Sequence, residues 1–175
     1  MPGKTVPLSV RMAPDDMTAL SELDVSDAIT PSDKIRTLVR QAHRRQKGQT
    51  DYAEALAIAE EQLMPTLRRI RGKEARDHIH SDLVVHFLNW LPDVLALVTT
   101  TLPNAGDDDH HQAIQLFERD IADRIAALLL STLKMALTPA TSCYSAKALD
   151  EKLPEVLELA RLVASARNTK EGVGS

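Results

Sequence analysis

In the segment TVPLSVRMAP, apolar Val6, Leu8, Val10 and Met12 alternate with Thr5, Pro7, Ser9 and Arg11. A period of two predicts a half-buried β-strand. From residue 14 onward the spacing of apolar positions changes to three and four, the mark of amphipathic helices. Met17, Leu20 and Leu23 form a first stripe behind Pro14, Asp15 and Asp16, residues that suit a helix start. Ile35, Leu38, Val39 and Ala42 form a second, opened by Thr30 as N-cap, Pro31 at the first helical position and Asp33 in the place of a capping-box acid. Gly48 is expected to stop it, behind a positive last turn of His43, Arg44, Arg45 and Lys47.

Four further amphipathic segments follow. Tyr52, Leu56, Ala59, Leu63, Leu67 and Ile70 predict a helix with Pro65 inside it and Gly72 at its end. Ala75, Ile79, Leu83, Phe87 and Leu91 predict the next. Ile114, Phe117, Ile121, Ile125 and Leu128 predict a third, entered through the loop PNAGDDDHH. Leu149, Leu153, Val156, Ala160 and Val163 predict the last, with NTKEGVGS as a frayed tail. Short links between these segments argue for an antiparallel helical bundle. The run from Leu83 to Leu102 is long enough to span a bilayer, but it contains His86, Asn89, Pro92 and Asp93 and is read as a buried helix of a protein with no membrane partner. The expected domains are residues 1–48, residues 49–170 and a flexible tail, 171–175.

Charge divides the chain in the same place. The net charge over 175 residues is −4, yet residues 1–47 hold eight Lys/Arg against six Asp/Glu, and the remainder holds thirteen against nineteen. A basic head on an acidic body points to nucleic-acid contact by the head. A single cysteine, Cys143, excludes a disulfide framework and a cysteine zinc site, and fits a reducing cytoplasm. No nucleophile elbow, phosphate-binding glycine loop or HExxH is present, so no catalytic residue and no cofactor is assigned.

A lone strand leaves its backbone donors and acceptors open, and the simplest partner is the same strand of a twin chain. The order of the pieces resembles the ribbon-helix-helix family of the MetJ/Arc type. SVRMAP stands where that family has its strand end, and TPSDKIR where it has the opening of its second helix. The resemblance covers about a quarter of the chain; Pro7 departs from the strand pattern. It implies a mainly α fold: an intertwined dimeric module of one β-strand and two helices, followed by an all-α bundle. It implies a dimer core of Val6, Leu8, Val10, Met12, Ile35 and Leu38. Base contacts in the major groove of double-stranded DNA would come from Thr5, Ser9 and Arg11. Phosphate contacts would come from Lys4, Thr30, Ser32 and Lys34.

The function expected is a bacterial, nucleoid-associated, sequence-specific DNA-binding protein, a transcriptional repressor or regulator. It would be a homodimer or a higher oligomer on DNA, with the helical domain free to bind a protein partner. The alternatives are an antitoxin that masks a toxin through that domain, and a plasmid-partition or relaxosome accessory factor. His78, Asp82 and His86, four apart, would share one helical face. That spacing admits a transition-metal site completed by His110 or His111, or half-buried polar residues bonded to a partner helix; the latter is preferred, and no metal site is assigned.

Overall fold

The computed structural model describes residues 6, 11–25, 28–101, 110–138, 140–145 and 147–172, with side chains except at 110 and 167–172. All regular structure among them is helical. Six helices follow in order: α1 (Pro14–Glu22), α2 (Pro31–Gly48), α3 (Tyr52–Asp77), α4 (Asp82–Thr101), α5 (His110–Ala136) and α6 (Leu153–Gly172). The chain divides into two compact units, Met1–Gln46 and Lys47–Ser175.

The expected β-ribbon is therefore overturned. No strand occurs among the described residues, and the fold class is all-helical rather than a strand-containing module with a helical extension. Val6, Arg11 and Met12 lie in no regular element. Lys4, Thr5, Leu8, Ser9 and Val10 fall outside the described residues. Alternation states which face would be buried; a strand exists only once a second strand accepts its hydrogen bonds. Every other described element of the chain is a helix, and Pro7 removes one donor from the segment.

In the first unit, Pro14 occupies the first turn of α1 together with Asp15 and Asp16, as read from the sequence. Leu20 and Val25 are the buried apolar residues there. The α2 cap forms as anticipated. The Thr30 hydroxyl accepts from the Asp33 backbone N–H (3.2 Å) and donates to the Asp33 carboxylate (2.6 Å).

In the second unit α4 packs against both α3 and α5. Asp51 caps α3 by accepting from the Glu54 N–H at 3.2 Å. Contrary to expectation, Gly72 does not end α3. The helix continues five residues further, and the Arg76 guanidinium donates back to the Gly72 carbonyl (3.2 Å). Glycine inside a helix costs about 1 kcal/mol, which the flanking turns offset. The stop is at His78, in the left-handed region at φ 52°, where the Ile79 N–H folds back to the Glu74 carbonyl. Histidine tolerates that region better than β-branched residues do. The continuous stripe expected from Ala75 to Leu91 is thus broken at residues 78–81. The tail also differs: α6 runs to Gly172, through most of the segment read as frayed.

Small residues bring α3 and α4 close. Ala55, Ala59 and Ala96 are all buried, Ala96 completely. Leu97 is the large aliphatic side chain buried beside them. A polar cluster ties the three helices together: the Tyr52 hydroxyl of α3 bonds the Asp93 carboxylate of α4, which accepts from Arg124 Nε of α5 at 2.5 Å. Burial opposes ionisation of Asp93, but the Tyr52 hydroxyl and the Arg124 guanidinium hold its carboxyl below the usual value. The Trp90 indole donates to the Arg124 carbonyl (3.3 Å) on the same side.

Candidate nucleic-acid interface

The sequence places six Lys/Arg and one Asp in α2. At about 100° per residue, Arg36, Arg40, His43 and Arg44 share an arc of roughly 100°. Ile35, Leu38 and Ala42 occupy the opposite side. Arg36, Arg40 and His43 are exposed, while Ile35 and Leu38 are half-buried. Arg36 also pairs with Asp33 across one turn at 3.2 Å, an exposed contact of small energetic weight. Lys47 belongs to the second unit, where it pairs with Asp51 (3.3 Å) and Glu54 (3.5 Å). Two guanidinium groups a turn apart on an exposed face match phosphate oxygens, which accept pairs of parallel N–H bonds.

The residues expected to touch phosphate are used otherwise. The Thr30 hydroxyl is engaged in the cap. The Asp33 carboxylate, kept ionised chiefly by that hydroxyl, already places a negative charge at the α2 N-terminus where an anion would sit. The Lys34 ammonium donates to the carbonyls of Leu20 (3.0 Å), Ser21 (2.9 Å) and Leu23 (2.7 Å). It thereby closes the C-terminal end of α1, where a cation is favoured by the helix dipole. Ser32 is exposed. The expected phosphate grip at the start of α2 thus meets a carboxylate and a committed lysine, and the accessible cations lie further along, on the Arg36–Arg40 face. The signal that could have located it is the i, i+4, i+7, i+8 spacing of the basic residues, a pattern that reads equally as dipole compensation at a helix end.

Removal of the Lys34 clamp has a defined consequence. Lys34→Ala leaves three carbonyls at the end of α1 without their cation and is expected to destabilise the first unit by about 1–2 kcal/mol. Amide hydrogen exchange over residues 14–25 reads this loss directly.

Of the expected dimer core, Met12, Ile35 and Leu38 are half-buried, and Val6 is 85% exposed. Leu8 and Val10 lie outside the described residues. Ile29 (93% exposed) and Val39 (62%) add to the apolar surface that this unit leaves open.

The histidines of the second unit separate. His78 terminates α3, while Asp82 and His86 belong to α4. The His86 ring bonds the Ser131 hydroxyl of α5 at 2.7 Å, the half-buried contact with a partner helix that the sequence suggested. The Asp82 carboxylate accepts from the Ser142 N–H (2.7 Å), and the Asp82 N–H donates to the Ser142 carbonyl (2.8 Å). Among the described residues no three His, Cys, Asp or Glu side chains gather as a metal site.

A second polar centre forms next to these contacts. The buried Glu74 carboxylate accepts from the Tyr144 hydroxyl (2.8 Å) and the Ser81 N–H (3.1 Å), and pairs with His80 (3.3 Å). The Tyr144 hydroxyl is the main reason its pKa lies below the ordinary value of 4.5. A carboxyl with a depressed folded-state pKa stabilises the fold above its unfolded value and loses that contribution as pH falls through the folded one. The segment around Ser142 and Tyr144 is therefore expected to hold its place at neutral pH and to loosen below about pH 4.5. Amide NMR shifts of Ser81 and Tyr144, followed as the pH is lowered, check this. Loosening on alkaline rather than acid titration would contradict it. Beside this centre lies an open cleft of about 490 Å³ lined by His80, Thr141, Ser142, Cys143, Tyr144 and Asp150 among others.

No protein-family model, no curated protein and no solved structure matches the chain.

Proposed function

We propose that this protein is a DNA-binding regulator that acts as a homodimer and holds double-stranded DNA through the exposed basic face of α2. The observation that carries this reading is the exposed set Arg36, Arg40 and His43, opposite the half-buried Ile35 and Leu38 of the same helix. It stands in a head whose net charge is opposite in sign to that of the body. Guanidinium contacts to phosphate supply affinity and register, and base contacts supply sequence preference. Arg11, exposed and three residues ahead of α1, is the described residue best suited to reach a base edge; Thr5 and Ser9 precede it in the chain. The exposed apolar side chains of the first unit support a dimer, because the two buried apolar residues among those described are too few to hold a unit of this size together.

The test is a fluorescence titration of the full chain with random-sequence duplex at two salt concentrations, followed by sequencing of the genomic fragments that the protein retains. Binding must weaken as salt rises. Absence of duplex binding at low salt would remove the proposal, and retention without a shared sequence would reduce it to non-specific binding.

A further inference from the structure

We infer that the C-terminal part of α3 is a second contact for duplex DNA, made through phosphate and separate from the α2 face. Five of the thirteen Lys/Arg that follow residue 47 fall within nine residues: Arg68, Arg69, Arg71, Lys73 and Arg76. All five are exposed. No acid occurs from Gln62 to Lys73, although the second unit is acidic as a whole. At about 100° per residue the five cations span an arc of about 200°. Ile70, half-buried, and Glu74, buried, lie on the other side, so the arc is the outer half of the helix. Gly72 stands at its middle, where a Cβ would meet nothing within 4 Å. Arg68 and Arg71 flank that glycine on one side, and Arg69, Lys73 and Arg76 on the other.

The fold itself makes little use of this charge. Arg76 donates to the Gly72 carbonyl, and among the described residues no carboxylate pairs with Arg68, Arg69, Arg71 or Lys73. Arg76 lies in the last turn, where a cation offsets the helix dipole; Arg68, Arg69 and Arg71 stand further back, beyond the reach of that effect. Arg68 with Arg71, Arg69 with Lys73 and Lys73 with Arg76 are like-charge neighbours three or four apart, which repel. An anion laid along the arc offsets that repulsion.

Shape and composition select duplex DNA. The major groove, about 12 Å wide, admits an α-helix between two phosphate-lined walls, and the cations on the two flanks of α3 meet both. A flat anionic bilayer meets one side of a helix, and a helix lying on lipid needs large apolar anchors, which the arc lacks. A protein partner would also call for such an anchor. Single strands are held by aromatic stacking, absent here, and double-stranded RNA has a deep, narrow major groove. Four of the five cations are arginine, whose planar guanidinium meets phosphate oxygens in pairs. Gly72 lets the helix backbone approach the DNA closely between the two flanks.

The experiment uses the full chain carrying Arg36→Ala and Arg40→Ala, which silences the α2 face, and a short fluorescent duplex of random sequence at low salt. Binding by this parent is expected to persist. Adding Arg69→Ala and Arg71→Ala is expected to weaken it about tenfold or more and to lower the slope of log K against log salt by about two. Gly72→Glu, at an open position that requires no repacking, is expected to weaken binding while helical circular dichroism persists. Arg119→Ala with Lys147→Ala removes the same charge from exposed positions elsewhere in the unit and is expected to leave the slope unchanged. No binding by the parent, an unchanged slope after Arg69→Ala and Arg71→Ala, or an equal loss from the control pair would overturn the inference. Co-sedimentation with phosphatidylserine vesicles that depends on Arg69 and Arg71, beside duplex binding that does not, would overturn it and assign the face to lipid. Self-association with the same dependence would assign it to the acids of a second copy. Failure of the α2 reading shows separately, as Arg36→Ala and Arg40→Ala without effect, and leaves this test intact.

Discussion

Replacing both Arg36 and Arg40 with alanine is expected to cut the affinity for random duplex by about 10–100-fold at moderate salt and to lower the slope of log K against log salt by about two. Each guanidinium that meets a phosphate releases roughly one condensed counterion, so the fall in slope counts the phosphates that are no longer neutralised. The two side chains are exposed, and the ion pair of Arg36 with Asp33 lies on the surface. Stability should therefore stay within about 0.5 kcal/mol of the parent. That separation matters, because a variant that loses binding by unfolding would show the same affinity change with a lowered thermal midpoint. Arg45, about half a turn round α2 from this face, is the matched control, and Arg45→Ala should leave the slope nearly unchanged. An unaltered slope for the Arg36/Arg40 variant would place the DNA contact elsewhere on the chain.

Leu97→Ala is expected to be the most damaging single change in the second unit, at about 2–5 kcal/mol. Leu97 is 5% exposed, and the other buried apolar residues there, Ala55, Ala59 and Ala96, are already small. Their smallness lets α3 and α4 approach closely, which leaves little slack for the helices to collapse into the space a lost isobutyl group would vacate. Against a total stability of about 5–15 kcal/mol the loss is severe. Urea unfolding at fixed protein concentration, followed through the single tryptophan, Trp90 of α4, measures it. Leu129, 53% exposed on α5, supplies the contrast, since Leu129→Ala removes the same atoms from a site open to water and should cost under about 0.5 kcal/mol. Comparable costs at the two positions would mean that the α3–α4 contact is not the centre of this unit.

Local chemistry was readable from the chain alone wherever a residue acts on its near neighbours. The proline-and-acid start of α1, the Thr30–Asp33 cap and the end of α2 at Gly48 all depend on groups within one turn of each other. The pairing of His86 with a neighbouring helix was legible for a related reason: a polar residue beside an apolar stripe needs a partner at that edge. Wherever a feature depends on distant segments, the pattern misled. Alternation around Val6 and Met12 named a strand but not the strand it would pair with. Gly72 carried a stop signal that α3 overrides. The apolar run of α4 suggested burial all round, yet 28% of its most apolar window is buried.

Period, caps and charge segregation thus determined by themselves that the chain is a succession of amphipathic helices with a basic head and an acidic body. They did so because each depends on bonds and spacings inside a single helix. Tertiary structure alone decided which basic residues are committed within the fold and which face outward, because the clamp of Lys34 on α1 joins segments a dozen residues apart. It alone set His86 and Asp93 of α4 against α5, because their hydrogen-bond partners Ser131 and Arg124 lie on that other helix.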